Sequence, residues 1–170
     1  MKKKLAALLL AGALAVAPSY AVMAEDASAT EAPAEEKKEP VKNGSYDLKC
    51  SEDDKDEDAI KLHFSNEVRN DVTGNWRIAT LASDKSSLDF ALAYYKEFVT
   101  SKDEIHAVVN FTDNTTTKIC TAFDSDYVDV TIHNYVDGEE HDAKLLFGGD
   151  VTGEYWINIE TGEVESLADE

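Results

Sequence analysis

Apolar residues recur along this chain at two spacings, and the change from one to the other marks out its elements. From 86 to 100, Leu88, Ala91, Leu92, Tyr95 and Val99 fall at helical intervals, so they share one face of an amphipathic helix. Ser86 with Asp89 three residues later is the capping-box pair that starts such a helix. Elsewhere the spacing is two. Tyr46, Leu48 and Cys50 alternate with polar residues, as do Ile60, Leu62 and Phe64, and the acidic run 51–58 joins these two short strands. The turn 70–75 leads into a strand over 76–82. Beyond the helix, 104–112 sets Ile105, Ala107, Val109 and Phe111 on one face and His106, Val108, Asn110 and Thr112 on the other. In 115–123 Thr117, Ile119, Thr121 and Phe123 share a face, and in 127–135 Val128, Val130 and Ile132 do. Asp113-Asn114 and Asp124-Ser125-Asp126 mark the turns between them. Aligning the apolar faces predicts Ile119 opposite Val109 and Val130 opposite Thr121, with a one-residue slip opposed because it would bring Lys118 beside Val109.

Residues 138–147 read as a short helix, with Asp137 as cap, Glu139, Glu140 and Asp142 near its positive end and Gly148-Gly149 as its stop. A strand over 143–147 is the competing reading. Tyr155 to Glu160 forms a last strand before the turn Thr161-Gly162. The class implied is α+β: an antiparallel sheet of four to six strands, the main helix 86–100 on one face, and a candidate second short helix near 138–147. The other sheet face then carries His106, Asn110, Lys118, His133 and Tyr135, a mixture of polar and amphipathic side chains suited to recognition or simply to water.

The ends of the chain change this picture. Lys2, Lys3 and Lys4 precede the apolar run Leu5 to Ala17, and Val22-Met23-Ala24 supplies the small residues of a cleavage site. That layout is a secretory signal peptide over 1–24. The run is shorter than the about 20 residues that cross a bilayer; an uncleaved anchor is the alternative. Residues 25–44, rich in acid, Ala and Pro, cannot bury enough apolar surface to offset ordering, so they read as a disordered linker before a single domain over 45–168. The 16 basic and 35 acidic residues give a formal charge of −19, and loss of the three leader lysines would make it −22. Such charge argues against nucleic acid and anionic membrane surfaces and for a monomer, and it attracts cations and basic partners.

Candidate chemistry is sparse. No HExxH or G-x-S-x-G occurs. In the register above, His106 and His133 lie roughly 13 Å apart along the strands and 10 Å across them, too far to share a zinc ion. Asp54, Asp56 and Asp58 imitate the first ligands of a calcium loop, but Ala59 and Ser65 stand where glycine and a bidentate glutamate are needed, so a solvated acidic loop is the competing reading. Cys50 and Cys120 admit one disulfide of an exported chain, or Cys120 is a small buried hydrophobe. Neither thiol has the positive surroundings of a nucleophile. Trp76, Tyr135 and Trp156 would be the aromatic platforms of a carbohydrate site, with core packing as their commoner fate.

The segments NDVTGNWR (70–77), DEIHAVVNFT (103–112) and YVDGEEHDAK (135–144) resemble a domain of small secreted proteins from Gram-positive anaerobes. EYWINIETGEVES (154–166) is similar to the closing hairpin of PepSY domains, which are secreted and are thought to restrain peptidases. These resemblances imply export and no catalytic residue. The expectation is a secreted, non-enzymatic binding or inhibitory module without cofactor, meeting a protein or cell-envelope partner and free or associated with the cell wall. A secreted hydrolase with scattered Asp, Glu and His, and an acidic cation-binding cell-wall protein, are the alternatives.

Overall fold

A computed structural model of the chain describes residues 38–50, 59–69, 75–123 and 126–167. The calcium-loop candidates Asp54, Asp56 and Asp58, and most of the linker, lie outside the described residues. The elements are β1 (Gly44–Leu48), β2 (Ile60–Ser65), β3 (Trp76–Leu81), α1 (Ser87–Phe98), β4 (Ile105–Asn110), β5 (Thr115–Thr121), β6 (Tyr127–Asn134), β7 (Val151–Asn158) and β8 (Val164–Ser166). The strands form one sheet in sequence order. Every neighbouring pair is antiparallel except β3 and β4, which run parallel on either side of the α1 crossover. The fold is therefore α+β with a largely antiparallel sheet and one helix against it. The sheet has eight described strands rather than four to six, because every strand read from the sequence pairs into the one sheet and the three-residue β8 adds another.

The helix starts as its sequence dictates. Ser86 Oγ accepts from Leu88 N–H, and Asp89 reaches back to Ser86 N–H, closing the capping box. Its buried face differs from the expected one. Phe90, Tyr94 and Phe98 point into the core with Ser87 and Ala91, while Leu88, Leu92 and Tyr95 sit at the margin. The aromatic stripe wins because its three rings bury more apolar area than the aliphatic stripe beside it. A 12-residue helix is about 18 Å long and 10 Å wide. It nevertheless meets β1, through Tyr46 on Phe98, and the β7–β8 turn, through Leu92 beside Gly162. The sheet curves toward it. Val41 packs on this core ahead of β1, and Gly44 is already paired with Phe64.

The strand register also differs. Ile119 lies opposite His106, not Val109, and Val130 lies opposite Ile119, not Thr121. The β4–β5 turn consumes four residues, 111–114, with Asn114 in the left-handed region, so that Asn110 meets Thr115. The resulting odd shift turns β4 over: His106, Val108 and Asn110 face the helix. The β5–β6 shift is even, so Thr117, Ile119, Val128 and Val130 keep the core face expected of them.

The second sheet face is half covered. Val68, Ile78, Ala107 and Leu146 form a smaller core there, with Trp76, Ala143 and Phe147 packed on it. Its cover is the β6–β7 connection. Residues 138–147 are neither helix nor strand but successive turns, with N–H to O bonds three residues apart from Glu139 to Gly148. Glu139 is fully buried and pins the segment, its two oxygens accepting from the Thr116 hydroxyl and from Phe147 N–H. Gly149 has no room for a side chain, since a Cβ there would fall 1.8 Å from Asn134 O.

Candidate functional site

Two polar groupings stand out, one shut inside the helix side and one open on the second face. The first joins α1 to β4. Tyr94 Oη lies 2.8 Å from His106 Nδ1, and His106 Nε2 lies 3.1 Å from Glu104 Oε2. Glu104 also accepts from Thr100 N–H and the Thr100 hydroxyl, both at 2.9 Å, and faces Arg77 at 3.6 Å. Burial would raise the Glu104 pKa, but the hydrogen bonds from His106 and Thr100 outweigh it and hold it at about 2. Burial pushes the His106 imidazole below its ordinary value, although Glu104 pulls it the other way. A neutral imidazole beside an ionised carboxylate has one consistent tautomer: Nε2–H donates to Glu104, and Nδ1 accepts from the Tyr94 hydroxyl. Burial, then the Glu104 charge, raises Tyr94 well above the usual phenol value. Tyr94, His106 and Glu104 are at most 5% exposed. Each polar atom has its partner, as a structural network requires.

The second grouping follows from register. Ile105, Cys120, Asp129, Trp156 and Glu165 lie opposite one another in succession from β4 to β8, so they form one row on the second face. The β6–β7 connection does not cover the far end of this row. Trp156 is 37% exposed, and its ring lies 5.9 Å from that of Tyr127. Beside them Lys118 Nζ meets Asp129 Oδ2 at 3.2 Å, and Cys120 Sγ lies 3.5 Å from the same oxygen. Burial, with Asp129 next to it, pushes the Cys120 thiol up to about 11, so it stays protonated. Phe123, in the β5–β6 connection just before β6, is fully exposed.

The five residues expected on one outer face are divided. His106 and Asn110 are 1% exposed on the helix side. Asn110 ties the start of the β3–α1 connection to the β4–β5 turn through Ser83 and Thr112. His133 is on the second face but under the β6–β7 connection, with Nδ1 3.2 Å from Gly149 O and its ring on Phe147. Tyr135 donates to Glu140 and accepts from Gly138 N–H, closing the start of that connection. Lys118 alone reaches the open half. Cys50 packs on the helix-side core and Cys120 belongs to the second face, and no disulfide joins them. Trp76 Nε1 is buried without a partner among the described residues, a cost of roughly 1–3 kcal/mol.

The Tyr127–Trp156 pair was legible only in part. Tyr127 and Asp129 alternate with Val128 and Val130, which puts them on the outer face, but nothing local says that this half stays uncovered. Among the described residues no three His, Cys, Asp or Glu are grouped to hold a metal ion, and no helix is long and apolar enough to cross a membrane. No family model, curated protein or solved structure matches the chain.

Proposed function

We propose that this protein is an exported, non-enzymatic binding or inhibitory module that meets a protein or cell-envelope partner on the open half of its second sheet face. The observation that carries the reading is the Tyr127–Trp156 pair, held on β6 and β7 beside Lys118 and Asp129 and partly exposed. Trp and Tyr are the residues that most often dominate binding energy, because a large ring gains contact area with little entropy to lose. Export through a leader ending at Ala24, and the likeness to small secreted proteins of Gram-positive anaerobes, support a partner outside the cell. The buried Tyr94–His106–Glu104 network serves the fold in this reading, since its polar atoms are already paired with one another.

The test is capture from the producing organism's culture fluid and envelope, by the wild-type protein and by the Tyr127→Ala/Trp156→Ala double variant. The wild type should retain a defined partner. The variant should lose it while its melting temperature stays close to that of the wild type. Equal capture by both proteins would remove the open face from the proposal.

A further inference from the structure

Two neighbouring rows cross the open half of the second face from β6 to β8. Asp129, Trp156 and Glu165 lie opposite one another in one row. Tyr127 and Asn158 lie opposite one another in the next, where Asn158 N–H donates to Glu163 O. Opposed residues of antiparallel strands share a face. Trp156 therefore has a carboxylate on each neighbouring strand, and Glu154 stands two residues back along β7. Tyr127, Asn158, Glu163, Val164 and Glu165 line a depression of about 230 Å³. Resting on the open half as the binding face, we propose that this depression takes the guanidinium or ammonium end of an Arg or Lys side chain, so that the partner is a basic polypeptide segment.

Charge and aromatic surface both select a cation. Aromatic rings attract a cation held within about 6 Å of the ring centre, and the Tyr127 and Trp156 rings stand side by side with centres 5.9 Å apart. Glu163 and Glu165 are exposed and line the same depression, and a carboxylate accepts the N–H fork of a guanidinium on both oxygens. The only lysine or arginine in β5 to β8 is Lys118, and Asp129 already engages it at 3.2 Å. An anionic ligand would meet like charge here. The net charge of −19 instead draws a basic partner toward the surface before contact.

The β7–β8 turn holds the site in shape. Asn158 Oδ1 accepts from Glu160 N–H at 3.0 Å and from Thr161 N–H at 2.9 Å. Gly162, in the left-handed region, donates its N–H to Asn158 O at 2.8 Å. Glu163 N–H meets Thr161 Oγ1 at 3.3 Å. These bonds fix where β8 begins, and with it the two glutamates, which stand two residues apart on one face. Such support lowers the ordering cost of binding. Size limits what enters. The depression is smaller than the roughly 300–1,000 Å³ of whole small-molecule sites, so it takes the end of one side chain and leaves the Trp156 ring to the rest of the segment.

Three end-blocked peptides, uncharged except for a central Arg, Lys or neutral citrulline, should be titrated into the 15N-labelled protein at matched ionic strength. Citrulline keeps the shape of Arg without its charge. The two indole N–H signals separate the outcomes, because Trp76 Nε1 is buried and serves as an internal control. The expected result is a saturating shift of the Trp156 signal by the Arg peptide with a Kd of about 1 mM or below, with Trp76 unmoved and the citrulline peptide at least about tenfold weaker. Tighter binding of Arg than of Lys would assign a guanidinium, and equal binding any basic side chain. Glu163→Gln/Glu165→Gln should weaken the Arg peptide at least about tenfold at an unchanged melting temperature, since both side chains are exposed. Glu67→Gln/Glu97→Gln, exposed acids elsewhere with the same change in charge, should weaken it less than about twofold. No saturating shift, equal binding of the citrulline peptide, equal weakening by both double variants, or a Trp156 response only to N-acetylglucosamine oligomers would overturn the proposal. A captured partner that is lost by Tyr127→Ala/Trp156→Ala but kept by Glu163→Gln/Glu165→Gln would refute the basic segment and leave the open face in place.

Discussion

The two faces of the sheet are closed by different means, and the difference lies in where each cover satisfies its backbone. On one face the cover is α1. A helix bonds its own N–H and C=O groups, so the side it presents can be almost wholly apolar: Phe90, Ala91, Tyr94 and Phe98. On the other face the cover is the turn-rich β6–β7 connection, whose successive turns pair only part of its backbone with main-chain partners. It needs acceptors from side chains, and Glu139 supplies them to Phe147 N–H and to Thr116. A carboxylate with no solvent exposure is the consequence. A cover of that kind reaches only as far as its pins, which leaves Tyr127 and Trp156 outside it.

The helix side should therefore be the more costly to disturb. Phe90→Ala is expected to lose about 3–5 kcal/mol of stability, read as a fall in the urea midpoint. Leu92→Ala, at the margin of the stripe, should lose roughly 1–2 kcal/mol. Equal losses would mean that both stripes share the core and that the rotation of α1 described above is wrong.

The buried network should give the helix side a pH dependence of its own. Glu104 has a depressed pKa, so its contribution is complete above the ordinary value of 4.5 and is lost as pH falls toward about 2. His106 is depressed too. The unfolded imidazole takes a proton first, and stability begins to fall below 6.5. Tyr94 is raised, so the unfolded phenol ionises first and stability falls again above 10. Glu104→Gln should cost about 2 kcal/mol at neutral pH and flatten the melting-temperature profile between 4.5 and 2. A profile of the same slope in that variant would place the acid sensitivity elsewhere.

Glu139→Ala probes the other cover. It leaves Phe147 N–H and the Thr116 hydroxyl without their acceptor, at roughly 1–3 kcal/mol. Hydrogen exchange at Phe147 should quicken more than at Ile119, which lies on the helix-side core. Uniform quickening would show that the second cover unfolds only with the whole domain.

Much of the fold was written locally. The Ser86–Asp89 capping box is a contact three residues long, and it starts α1 where the sequence says. The alternation in β5 and β6 assigned Ile119, Val128 and Val130 to the core face, because an error of two residues in register does not change which way a side chain points. His106 and Asn110 went the other way for the opposite reason: the four-residue turn after β4 shifts the register by an odd number, and β4 is buried on both sides, so its own pattern had no polar face to mark the outside. The open site was less legible than the fold, since the exposure of Trp156 depends on where a distant segment stops.

What the sequence determined by itself is the set of features held by neighbours in the chain: the capped helix, the strand periods, the turn residues and the net charge of −19. Tertiary structure decided the rest. It chose the aromatic stripe of α1 over the aliphatic one, set His106 against Tyr94 twelve residues away, and held 138–147 in turns through a contact between Glu139 and Thr116 that spans 23 residues. A contact of that span has no local period to announce it. Its energy exists only once the sheet has brought the two residues together.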